Sequence, residues 1–234
     1  MDIDDDIDFD ISRKFDILEQ SNKRMIIPRK VKKYDLYQKI METEMSVVFA
    51  IRDQNLAMKC IPKDQLKFND LEIFIMSEIQ HDNLMSCVDY FEFPDGNSRF
   101  IAIVMPRAQS DLFLHLFTKG NGQRTKYFPE DLVFRIINSA LNALKFLHDN
   151  NICHRDIKLE NIFVMKETKQ GPIIKLGDFG LAYEFEPTSN FVTLPAMGTI
   201  PFAAPELLKV DTTKTDFGCS FLDSASCLFI LFQF

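Results

Sequence analysis

Between His154 and Asn161 the chain reads His154-Arg155-Asp156-Ile157-Lys158-Leu159-Glu160-Asn161, and seventeen residues after that asparagine comes Asp178-Phe179-Gly180. Asp156 carries a carboxylate that can accept or orient the proton of a hydroxyl, and Lys158 puts a cation two residues away. Asn161 and Asp178 offer side-chain oxygens, the ligands that a hard cation such as Mg²⁺ favours. A blander role for Asp156 is a buried carboxylate held by backbone amides, but that leaves Lys158 and Asn161 at these offsets unexplained. Upstream, Lys59 stands between the apolar Met58 and Ile61. An unpaired charge there would be costly, so a carboxylate partner is expected.

The elements that must hold these groups change character along the chain. Val47–Ile51 and Leu56–Ile61, separated by Asp53-Gln54-Asn55, read as a hairpin. Val88–Phe93 and Phe100–Met105, split by Pro94-Asp95-Gly96-Asn97, read as a second. Leu66–Gln80 fits a helix, although its apolar run Leu71–Met76 fits a strand equally well. Glu130–Asn150 has apolar residues at Leu132, Phe134, Ile136, Ile137, Leu141, Leu144 and Leu147 behind Pro129, the pattern of a helix with its start marked. Strands thus dominate the first half and helix enters the second, with the switch near Arg107–Ser110.

At 234 residues, 46% hydrophobic and 26% charged, the chain has ordinary globular composition. Six of the first ten residues are Asp, and they account for nearly all of the net charge of −7. The near-neutral remainder excludes a global field for nucleic acid or an anionic membrane. Five Cys at irregular spacing form no CxxC, which reads as reduced thiols and an intracellular, cytoplasmic location. The Asp-rich start is no secretory signal, and no apolar run reaches the ~18 residues that span a bilayer. Residues 1–33 read as a charged tail, either simply solvated or docking a partner.

In series with Ala204-Pro205-Glu206, the two catalytic-type segments resemble the eukaryotic protein kinases. The resemblance implies an α+β, two-lobe fold over 34–234, with a β-rich N-lobe over about 34–106 and a helical C-lobe over about 107–234. It implies ATP and Mg²⁺ as cofactors, a protein substrate, and transfer of the γ-phosphate to its hydroxyls. Asp156 corresponds to the proton acceptor, Lys158 to the γ-phosphate contact, and Asn161 and Asp178 to the metal ligands. Lys158 also resembles the serine/threonine branch. Leu56-Ala57-Met58-Lys59 resembles the third-strand motif, making Lys59 the α/β-phosphate contact. Its partner is Glu72, nine residues before the His81-Asp82-Asn83-Leu84 turn, with Glu78 the alternative. Val48 and Ala57 correspond to the roof of the adenine pocket, Phe163 to its floor, Met105 to the gatekeeper and Pro106-Arg107-Ala108 to the hinge. Asp111 is a candidate for holding the ribose or a substrate.

Two departures stand out. Met41, Thr43 and Ser46 occupy the three positions of the family's Gly-rich loop, and no glycine precedes Gly96. Glu42 and Glu44 beside the phosphates would add repulsion unless they point outward. In addition, only Leu207–Phe234 follows the Ala-Pro-Glu motif, so the last C-lobe helices are expected to be missing. Asp216 or Asp223 would open the remaining helix, and Glu206 lacks its usual Arg. These departures keep a rival reading open: a pseudokinase-like binding or scaffold protein, or an inactive truncated fragment.

Arg155 resembles the family members switched by a phosphate in the activation segment, where Thr188, Ser189 and Thr193 are candidates for modification by an upstream kinase. Thr199, in Met197-Gly198-Thr199, resembles the residue whose hydroxyl contacts the catalytic Asp. Alanine at Thr199 is therefore expected to abolish transfer whatever the phosphorylation state. Peptide mapping of active protein should find phosphate at Thr188, Ser189 or Thr193, and its absence from all three removes the switch.

Overall fold

The computed structural model of the chain describes residues 27, 29–43, 45–63, 69–95, 98–117, 129–185, 192–193 and 216–217. Its first half is an antiparallel sheet of β1 (Lys30–Val31), β2 (Tyr34–Glu42), β3 (Val47–Ile51), β4 (Leu56–Pro62), β5 (Asp89–Asp95) and β6 (Ser98–Pro106). The strand order is β1-β2-β3-β4-β6-β5. Both expected hairpins are present in it. The sheet also begins inside the segment read as a tail: Val31 pairs with Tyr34, and both side chains are buried.

Strand alternation divides the sheet's apolar residues between two cores. Met58, Cys60, Ala102 and Val104 join Phe93 and Phe100 on one face. Ile61, Ile101 and Ile103 lie on the other, against the helix α1 (Asn69–Glu78). The ambiguous apolar run is therefore helical, and burial of Ile75 and Met76 against the sheet decides it. Among the described residues Cys60 and Cys87 are free thiols, and burial pushes the Cys60 thiol up to about 12.

After the sheet come β7 (Ser110–Asp111), the one-turn helix α2 (Leu112–Leu116) and the long helix α3 (Glu130–Asp149). Then follow β8 (Ile152–Cys153), β9 (Ile162–Thr168), β10 (Gly171–Leu176), β11 (Tyr183–Glu184), β12 (Val192–Thr193) and β13 (Asp216–Phe217). β9 pairs with both β10 and β7, β8 with β11, and β12 with β13. Helix α3 buries Val133, Ile136, Ile137, Ala140, Ala143, Leu144 and Leu147, a stripe at three- and four-residue spacing. Phe134 and Leu141, read as part of that stripe, are exposed because each lies one residue, about 100°, beyond its edge. Asp216 lies in a strand opposite Thr193, and the residues after Phe217, where a helix is expected, lie outside the described residues. Asp223, Thr188, Ser189, Thr199 and Glu206 lie outside the described residues.

A turn at His81–Leu84 joins the sheet to the second half. His81 Nδ1 accepts from the Asn83 amide (3.1 Å), and Asn83 Nδ2 donates to the Ile174 carbonyl (3.2 Å). Lys175 Nζ donates to the Asp82 and Leu84 carbonyls, and Leu84 bridges Leu176 in parallel register. The β9–β10 hairpin needs Gly171, whose φ of 117° disfavours a side chain. A Cβ there would also fall 2.2 Å from Leu132 Cδ1 on α3. Gly171→Ala should therefore cost about 1–3 kcal/mol in urea unfolding. The double variant with Leu132→Ala should lose less than the sum of the two single losses.

Candidate active site

Register in the sheet gathers one group of side chains. Val48 lies opposite Lys59, Lys59 opposite Ile103, and Ala57 opposite Met105. Facing residues on antiparallel strands share a side, as do alternate residues on one strand. Val48, Ala57, Lys59 and Met105 therefore look onto the same space. Beyond Met105 the Arg107 and Gln109 amides donate to the Asn55 and Val164 carbonyls (3.0 and 2.8 Å). The Ala108 amide between them has no partner among the described residues. Phe163, on β9 opposite Asp111, packs so near Gly177 that a Cβ there would lie 2.9 Å from its ring.

Lys59 is buried between two carboxylates: its Nζ donates to Glu72 Oε1 at 2.6 Å and to Asp178 Oδ1 at 2.7 Å. Glu78, the alternative partner, is exposed at the far end of α1. Burial opposes the ammonium of Lys59, but the charges of Asp178 and Glu72 outweigh it and raise its pKa. Burial raises the Glu72 carboxyl, against the pull of Lys59. The Lys59 charge lowers that of Asp178 against burial. Glu72 Oε2 is buried without a hydrogen-bond partner, which adds to the cost of this arrangement.

The segment from His154 to Asn161 folds back on itself below this cluster. Lys158 Nζ donates to Asp156 Oδ2 at 2.6 Å. Asn161 Nδ2 donates to the Asp156 carbonyl and to Oδ2 (2.8 and 3.0 Å). Asp156 is thus held by two side chains, Lys158 and Asn161, at the offsets that the blander reading leaves unexplained. His154 Nδ1 accepts from the Asp156 amide (3.3 Å), leaving Nε2 to donate to the Gly177 carbonyl (3.1 Å). That bond ties the segment to the residue before Asp178. Arg155 and Asp178 both have left-handed backbone, φ 64° and 62°, an unfavourable conformation that surrounding contacts must enforce.

The contacts of several residues singled out above carry no signal in the sequence. Arg155 Nε donates to the Leu181 carbonyl (2.6 Å), and its guanidinium lies 5.6 Å from the Tyr183 ring. Phe179 is fully buried, edge-on to His154. Asp111 accepts from the Leu114 amide (2.7 Å) and caps α2, which engages one of its oxygens locally. Glu42 pairs with Lys39 along β2, so it faces away from the cluster. Glu44 lies outside the described residues, and of Thr193 only the backbone is described.

A family model for the protein kinase domain matches residues 34–222. The chain belongs to the protein kinase family. Similar proteins include the serine/threonine-protein kinase TIO of Arabidopsis thaliana, 35% identical over 67% of this chain and 11% of its own length. The serine/threonine-protein kinase zyg-8 of Caenorhabditis elegans is 27% identical over 88% of this chain and 25% of its own. The calcium/calmodulin-dependent protein kinase type I of Schizosaccharomyces pombe is 26% identical over 75% and 49%. The chain therefore spans from about a tenth to about half of these relatives.

A protein kinase domain works in general with ATP and a divalent metal. The residues here fit such an ion. Asn161 spends its amide hydrogens on Asp156, which leaves Oδ1 as an acceptor, and Asp178 has a second oxygen beyond the one facing Lys59. Among the described residues no group of three His, Cys, Asp or Glu could hold an ion unaided, so phosphate and water oxygens would complete its shell. No described helix is long and apolar enough to cross a membrane.

Lys59→Met should destabilise the protein by about 3–5 kcal/mol, because it strands Glu72 in the core. Adding Glu72→Leu should restore much of that loss in chemical denaturation. The stability that the lowered Asp178 pKa contributes is present above its ordinary value and fades as pH falls through the folded one. The acid limb of the stability profile should therefore flatten in the Lys59 variant.

Proposed function

We propose that this chain is a serine/threonine protein kinase that moves the γ-phosphate of ATP, with Mg²⁺, to a hydroxyl of a protein substrate. The observation that carries this is the joint arrangement of two clusters: Lys59 closed onto Glu72 and Asp178, and Asp156 braced by Lys158 and Asn161. In this reading Asp156 accepts or orients the proton of the attacking hydroxyl. Lys158, 2.6 Å from that carboxylate, neutralises charge on the transferred group. Asn161 and Asp178 hold the metal through their remaining oxygens, and the ion supplies charge neutralisation at the phosphates. Val48, Ala57, Met105 and Phe163 enclose the adenine, and the Ala108 amide donates to it. Lys59, released in part from Asp178, meets the α- and β-phosphates.

Arg155 receives a phosphate placed on Thr188, Ser189 or Thr193 by an upstream kinase, and Thr199 contacts Asp156. The chain works inside the cell, with protein partners and neither nucleic acid nor membrane. A second reading, a kinase-shaped binding or scaffold protein, is favoured by Met41, Thr43 and Ser46 at the glycine positions. Incubation with labelled ATP and Mg²⁺ separates the two. Label should enter a serine- and threonine-bearing protein substrate and fall by at least about 10²-fold in Asp156→Asn. Equal incorporation by both proteins, or none from folded wild type, leaves the binding reading standing.

A further inference from the structure

The turn between β2 and β3 is closed by one side chain. Thr43 follows the last residue of β2, and its Oγ1 accepts from the amides of Ser46 (3.0 Å) and Met45 (3.2 Å). The same hydroxyl donates to the Ser46 carbonyl (3.3 Å), and the Thr43 amide donates to that carbonyl as well (2.8 Å). A hydroxyl has one donor and two acceptor lone pairs. All three are used within this turn.

The turn lies beside the cation that would meet phosphate. Val48, two residues past Ser46, stands opposite Lys59. Clustered backbone amides at such a position ordinarily form a concavity that holds an anion. Here two of them point at Thr43 Oγ1, and Ser46 is itself buried. Lys39, the lysine on β2, is paired with Glu42. The turn therefore offers a passing phosphate neither these amides nor that ammonium.

We propose that Thr43 is a self-capping residue that withholds the loop's amides from phosphate, so that the cleft discriminates little between adenine nucleosides and their phosphorylated forms. The inference rests on the nucleotide-binding part of the function proposed above. The ligand class it implies is the adenine nucleoside itself, held by the apolar space around Ala57 and Met105. Phosphates add only what Lys59 and a metal contribute. Thr43 acts through the amides of Met45 and Ser46 and touches no reacting atom.

Calorimetric titration with adenosine and with ATP, on wild type, Thr43→Val and Thr43→Ser, tests the idea. Valine keeps the shape and removes the hydroxyl; serine keeps the hydroxyl. Thr43→Val should tighten ATP about tenfold and move adenosine by less than about twofold, the size expected of one charge-assisted hydrogen bond. Thr43→Ser should behave as wild type. ATP affinity that is unchanged in Thr43→Val, or that shifts together with adenosine, overturns the proposal while leaving nucleotide binding intact. If neither ligand binds any of the three folded proteins, the nucleotide reading falls and takes the inference about selectivity with it. Amide hydrogen exchange tests the cap independently of any ligand. The Met45 and Ser46 amides should exchange faster in Thr43→Val and not in Thr43→Ser, and equal rates in all three proteins overturn the cap itself.

Discussion

One buried cation holds the two halves of this chain in working relation. Lys59 comes from β4, Glu72 from α1 and Asp178 from the loop after β10, and none of the three has a low-cost position without the others. The helix is pinned to the sheet through Glu72, and the loop after β10 is drawn up to it through Asp178. Formally two carboxylates share one ammonium, so the cluster keeps an excess negative charge in a desolvated place. Such a site welcomes additional positive charge. That is the electrostatic setting in which a divalent ion beside Asn161 and Asp178 is favourable.

The second constraint is conformational. Arg155 and Asp178 occupy left-handed backbone, and each is fixed by its neighbours. His154 links the two through its bonds to the Asp156 amide and the Gly177 carbonyl. Arg155 is held through Leu181, and the burial of Phe179 completes the seat of the loop. Strain of this kind is tolerated where the surrounding contacts over-determine the geometry. The side chains that orient Asp156 are consequently set by the fold itself.

Much of this was legible in the sequence. The short segments around Asp156 and Asp178 fix residue types at offsets that few alternatives satisfy, and both strand pairs follow from alternation around polar turns. The cost of a lone buried charge calls for a carboxylate beside Lys59, and the resemblance of the His81 turn to its family counterpart points to Glu72. What stayed hidden depends on three-dimensional neighbours. Leu71–Met76 has no decisive period, and only packing of Ile75 and Met76 on the sheet makes it helical. Phe134 and Leu141 match the helical period closely enough to be mistaken for core. Asp111 has the chemistry of a ligand but serves as a cap, because the Leu114 amide lies within reach. The contacts of Thr43 and Arg155 are made to backbone groups, which sequence does not show.

The stitching of the His81–Leu84 turn to β10 has a consequence for how the chain assembles during synthesis. Asn83 and Leu84 find their partners on Ile174 and Lys175, 91 residues later. At ribosomal rates of about 5–20 residues per second, that separation corresponds to a wait of roughly 5–18 s. Through that interval the sheet, α1 and the turn can form, but the carbonyls of Asp82 and Leu84 lack the Lys175 ammonium that later meets them. The first half of the molecule is thus a nascent intermediate with an open flank, and its completion is timed by the arrival of a single hairpin.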